Sequence, residues 1–122
     1  PSHASGQLTA GIAAELTTEL NAIDYASTAT INLAFARRDV THPLDGFGFV
    51  VPAVEGRTLL ACTFSHEKFP GRAPSDQVLL RAFAGGAMQP GAALLDDEQL
   101  LAAVTHDLSE LLGLKGCLHL RS

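Results

Sequence analysis

Residues 25–35 read Tyr25-Ala26-Ser27-Thr28-Ala29-Thr30-Ile31-Asn32-Leu33-Ala34-Phe35. Tyr25, Ala29, Ile31, Leu33 and Phe35 fall on one face at a period of two. Ala26, Thr28, Thr30, Asn32 and Ala34 fall on the other, which is small and polar. Alternation of this length with β-branched residues predicts one long strand over residues 24–37. A long alternating strand needs neighbours, so this stretch commits the chain to a sheet with one apolar face.

Outward toward the C-terminus, Arg37-Arg38-Asp39 ends the strand and His42-Pro43-Leu44-Asp45-Gly46 reads as a turn. Phe47–Val51 is a second strand, stopped by Pro52. Glu55-Gly56 is a tight hairpin signal before a third strand, Arg57–Ser65. Pro70, Gly71 and Pro74 make residues 66–76 a loop. Val78–Ala84 is the fourth strand, ahead of Gly85-Gly86. Strands joined by so short a turn cannot be parallel, so the sheet is at least partly antiparallel.

Residues 96–112 carry the clearest helix. Asp96 is the N-cap and Gln99 completes a capping-box pattern. Asp97 and Glu98 suit the positive end of the helix dipole. Leu101, Val104, Leu108, Leu111 and Leu112 form the expected buried stripe. Gly113 stands where a left-handed C-terminal residue belongs, and Leu114 can close the contact behind it. On the N-terminal side, Leu8, Ile12, Leu16 and Leu20 recur at spacing four over residues 2–22. Gly6 and Gly11 each cost about 1 kcal/mol in a helix interior, which predicts two short helices or a break near Gly11. Residues 117–121 alternate like a last strand. The fold class is α+β: a mostly antiparallel mixed sheet with helices packed on one face.

A length of 122 residues suits one domain, residues 1–122. Hydrophobic residues make up 47% and charged residues 17%, enough for a packed core and unlike a disordered tail. Eight Lys and Arg against 13 Asp and Glu give a net charge of −5, which argues against a nucleic-acid surface. No apolar run approaches membrane-spanning length. Cys62 lies in the apolar run Leu59–Phe64 and reads as a buried reduced thiol. With Cys117 as the only other cysteine, no disulfide framework is expected, which points to a reducing, cytoplasmic setting. The start shows no signal peptide. Pro1 stands first without an initiator Met, as after Met removal or excision from a longer chain.

Chemistry-bearing residues are sparse. His3, His42, His66, His106 and His119 include no helical i, i+4 pair, and no Cys-x-x-Cys occurs, so no metal site is expected. Gly46-Phe47-Gly48 lacks the third glycine and the following helix of a dinucleotide fingerprint. It reads as a turn opening a strand, or as a place where backbone approaches a flat ligand. Phe83, at a strand end, reads as a core aromatic or as a stacking wall. Lys68 and Arg72 read as solvated loop charges or as an anion contact. By residues alone this is a ligand-contacting or structural domain.

Taken in order, several stretches resemble the middle of the oxygen-dependent protoporphyrinogen oxidases, of the flavin amine oxidase superfamily. They are the run 25–35, Gly46-Phe47-Gly48-Phe49-Val50-Val51-Pro52, Phe64-Ser65 and Phe69-Pro70-Gly71-Arg72-Ala73-Pro74. Val78 to Phe83 with Gly85-Gly86, and the closing acidic-capped helix, complete the series. The resemblance implies a parent enzyme that binds FAD and oxidises a porphyrinogen to a porphyrin with molecular oxygen. Its protein part mainly positions the substrate. The FAD-binding segments are absent from the chain, as is the arginine that pairs with a substrate propionate. The resemblance therefore implies a substrate-binding domain fragment, inactive alone, from a cytoplasmic or membrane-peripheral enzyme.

The same resemblance carries over Phe47 and Gly48 as pocket lining and Val50 as an aliphatic contact on a pyrrole ring. Thr63 stands where an aliphatic residue packs on the opposite face, and Phe83 where a residue stacks on a neighbouring ring. The expected partner is a tetrapyrrole, with neither metal nor nucleic acid. The competing reading is a free-standing sheet-plus-helix binding or dimerisation module, pairing through an exposed sheet edge.

Overall fold

The computed structural model describes residues 1–115. The strand expected over 117–121 and the second cysteine, Cys117, lie outside them. Two short helices open the chain, α1 (Ser2–Thr9) and α2 (Ala14–Asn21). Strand β1 (Thr28–Ala36) follows, then β2 (Gly48–Val50), β3 (Leu59–Phe64), the single helical turn α3 (Ser65–Lys68), β4 (Gln77–Gly85) and the long helix α4 (Asp97–Leu112). The four strands form one sheet in the order β1-β4-β3-β2, and every pairing is antiparallel. β4 is therefore central, while β1 and β2 are edges.

The alternation read in residues 25–35 survives with a later start. Tyr25 precedes β1 and is exposed, its hydroxyl accepting from the Ser2 backbone N–H at 2.7 Å. Leu33 and Phe35 of β1, Val78, Leu80, Ala82 and Ala84 of β4, and Leu59, Cys62 and Phe64 of β3 point to one face. There they pack with Leu100, Val104, Leu108 and Leu112 of α4 in a single core. Full burial of each Leu or Phe is worth roughly 1.5–3 kcal/mol, so this face carries the fold.

α4 begins with the expected capping box. Asp96 Oδ1 accepts from the Gln99 N–H at 2.8 Å, and Gln99 Oε1 accepts from the Asp96 N–H at 3.3 Å. Its buried stripe is Leu100, Val104, Asp107, Leu108 and Leu112. Leu101 is only partly buried and Leu111 is exposed, so the expected stripe is rotated by about one residue at each end. Asp107 explains part of the shift. Its Oδ2 accepts from the buried Leu59 N–H at 3.0 Å, where the β3–β4 register slips between Leu59 and Ala61. Past Gly113, at φ 64°, Leu114 bridges Val40 and packs against the core, closing the helix end as expected.

Three further expectations need correction. Ala10–Ala13 do separate α1 from α2, but Leu8 and Ile12 are 80% and 87% exposed and Leu16 is also exposed, so this pair does not bury its apolar face within the described residues. The β2–β3 connection is not a tight hairpin: a 3₁₀ turn, Ala53–Glu55, precedes Gly56 at φ 63°. The 66–76 loop begins with the helical turn of α3, because no proline interrupts Ser65–Lys68.

Candidate functional site

The sheet has a second face. Side chains alternate across a strand, so residues opposite in parity to the core look away from α4. The register aligns them in rows. Val50 pairs with Ala61, Ala61 with Phe83, and Phe83 with Thr30. In the adjacent row Gly48 pairs with Thr63, Thr63 with Arg81, and Arg81 with Asn32. Four of the five residues singled out in the sequence thus share this face in two neighbouring rows: Gly48, Val50, Thr63 and Phe83.

Val50 is 78% exposed on the edge strand, whereas Thr63 and Phe83 are half-buried by their neighbours. Ala61, a small residue, separates Val50 from Phe83 by two strand spacings, roughly 10 Å. The result is a shallow apolar platform with an aliphatic flank at one side and an aromatic ring at the other. Phe47 is not in the rows. It precedes β2, is 69% exposed, and contributes its carbonyl, which accepts from the Phe64 N–H at 3.0 Å.

Gly48 is required by chain packing. A Cβ there would lie 2.2 Å from the Cys62 carbonyl oxygen and 2.9 Å from Thr63 Cα, and the residue has φ +143°. β2 approaches β3 so closely that only glycine fits. The close backbone approach read in the sequence is therefore to the neighbouring strand.

Arg81 is the one charged residue in the four strands. Sequence reading passed over it, although its parity with Phe83 in an alternating strand places both on one face. Its Nε donates to Asn32 Oδ1 at 3.0 Å. Among the described residues no carboxylate pairs with it. Lys68 and Arg72 both lie over the Phe69 ring, 5.6 and 5.5 Å from its centroid. They form a cation–π cluster at the end of α3 and in the loop that follows it.

The remaining polar cluster is structural. Arg57 bridges Asp107 and Glu110 of α4, and its hydrogen bond to Glu110 holds that carboxyl below the usual range. Gln89 Nε2 donates to the Arg57 carbonyl at 2.6 Å. Burial pushes the Cys62 thiol up to about 12, so it is an inert core group. The described residues do not fit a dinucleotide. Their strands are all antiparallel, and no Gly-rich turn leads from a strand into a helix N-terminus to cradle a pyrophosphate. No group of three or more His, Cys, Asp or Glu among them could hold a metal ion, and no helix is long and apolar enough to cross a membrane.

Comparison with known proteins places this sheet. The family model for flavin-containing amine oxidoreductases matches residues 1–119. The chain is 35% identical over 97 residues to coproporphyrinogen III oxidase of Staphylococcus aureus (strain NCTC 8325 / PS 47), covering 77% of the chain and 20% of that enzyme. It is 37% identical over 97 residues to the mitochondrial protoporphyrinogen oxidase of Nicotiana tabacum, covering 77% and 19%. A crystal structure of a protein assigned as a protoporphyrinogen oxidase from Exiguobacterium sp. 255-15 superposes with a TM-score of 0.71 at 33% identity, over 82% of this chain and 22% of that one. The chain spans about one fifth of the length of the curated relatives it matches. With a family model that covers nearly all its residues and an α+β sheet shared with that structure, the chain belongs to the flavin-containing amine oxidoreductase family.

Proposed function

We propose that this chain is the substrate-binding part of a FAD-dependent porphyrinogen oxidase of tetrapyrrole biosynthesis. The parent enzyme oxidises protoporphyrinogen or coproporphyrinogen to the porphyrin, with molecular oxygen as terminal oxidant. The 122 residues alone are inactive, because the flavin is held by parts of the parent outside them. The observation that carries this reading is the open sheet face, with Val50, Thr63 and Phe83 in adjacent rows. A large, flat, apolar ligand is best met by an apolar platform with few polar anchors. The names of the relatives supply the ligand class: coproporphyrinogen and protoporphyrinogen oxidases.

In this role the domain binds and orients; it moves no proton and donates no electron. Phe83 offers a ring face for stacking, Val50 an aliphatic contact, and Thr63 a small side chain in the neighbouring row. The flanking row adds the amide of Asn32 and the guanidinium of Arg81. The test is turnover by the complete chain that contains this segment, purified with bound flavin. Oxygen-dependent appearance of fluorescent porphyrin from either porphyrinogen supports the reading. A complete chain that loads flavin and oxidises neither overturns it.

A further inference from the structure

A lone arginine in an inner strand of a sheet calls for a partner, and among the described residues its one side-chain partner, Asn32, is neutral. The bond to Asn32 uses Nε and fixes the stem, and among the described residues nothing engages the two terminal nitrogens, which can donate. That is the fork geometry suited to a carboxylate. Arg81 stands two residues before Phe83 on the same strand and face, about 7 Å along the strand. A ring stacked on Phe83 would place its periphery, where tetrapyrroles carry their carboxylates, at this fork. Thr63 and Gly48 continue the row beyond Arg81, and neither side chain is long enough to block access.

We propose that Arg81 is a carboxylate anchor on the open sheet face, binding a propionate of the tetrapyrrole other than the one that the family resemblance assigns to an arginine outside this chain. The inference rests on the tetrapyrrole reading above and adds a residue to it. Asn32 is a positioning residue, acting through the Arg81 stem.

The test compares wild type, Arg81→Met and Arg81→Lys in the complete flavin-loaded enzyme, with coproporphyrinogen III and protoporphyrinogen as substrates. Losing a charge-assisted hydrogen bond should lower kcat/KM for coproporphyrinogen about tenfold or more in Arg81→Met, chiefly through KM. Arg81→Lys should recover part of the loss. Equal kcat/KM for coproporphyrinogen in an active wild type and Arg81→Met overturns the anchor and leaves the oxidase reading standing. If wild type oxidises neither substrate, the oxidase reading fails, and titration with coproporphyrin III followed by porphyrin fluorescence decides the anchor. About tenfold weaker binding to Arg81→Met supports it; equal binding, or none to wild type, overturns it. Should Arg81→Met fail to fold by circular dichroism, the same comparisons are made with Arg81→Lys, which keeps the charge and loses the fork.

Discussion

Gly48→Ala separates two reasons for a glycine at the edge of the platform. The added Cβ would lie 2.2 Å from the Cys62 carbonyl oxygen, whereas ordinary contact begins at 3.4 Å, so β2 must move about 1.2 Å away from β3. The flanking hydrogen bonds are short, Val51 N–H to the Leu60 carbonyl at 2.8 Å and Phe64 N–H to the Phe47 carbonyl at 3.0 Å. Such a shift takes both beyond the roughly 3.2 Å limit of a good bond. Strain at φ +143° costs about 1–3 kcal/mol for a residue with a side chain. Each lost bond adds about 1 kcal/mol. The sum is about 3–5 kcal/mol, a urea midpoint lowered by about 1 M or more for a chain of this size. Hydrogen exchange should show Val51 and Phe64 amides losing protection while the β1–β4 amides keep theirs. Unchanged stability and unchanged protection at Val51 and Phe64 would refute the packing argument and return the glycine to a ligand-access role.

Asp107→Ala orphans the buried Leu59 N–H and should destabilise by about 1–3 kcal/mol in urea unfolding. Asp107→Asn, which keeps an acceptor, should cost clearly less, and equal losses would show that the Leu59 bond is unimportant. Cys62, raised to about 12 by burial, should resist alkylation in the folded chain and react once unfolded. Because the folded thiol stays protonated while the unfolded one ionises near 9, stability should fall as pH rises from about 9 toward 12. A titration curve for unfolding identical in Cys62→Ala would contradict this. Phe83→Ala should weaken porphyrin binding by about 1 kcal/mol or more, measured by fluorescence titration, and an unchanged affinity would remove Phe83 as a stacking wall.

Local signals were legible wherever a short-range rule decides. The period-two run through Phe35, the Asp96–Gln99 capping box, the Gly113 stop and the break before α2 all follow from chemistry within a few residues. The buried stripe of α4 was less legible. A helix with leucines at 100, 101, 108, 111 and 112 offers several faces, and the β3 backbone selects the one that brings Asp107 to the Leu59 N–H. The exposed leucine face of α1 and α2 shows the same limit, since periodicity reveals an apolar face without saying what covers it.

The sequence by itself determined most of the element types, the apolar side of β1 and the family through its motifs, and that resemblance supplied the candidates Phe47, Gly48, Val50, Thr63 and Phe83. Only the tertiary structure decided that the last four share a face, because the order β1-β4-β3-β2 sets which positions become cross-strand neighbours. It also showed that Gly48 answers to the Cys62 carbonyl and that Arg81 stands beside Thr63. Strand alternation is a property of adjacent residues, but register joins residues dozens of positions apart. It is set by the collective burial of the core face against α4, which no local stretch encodes.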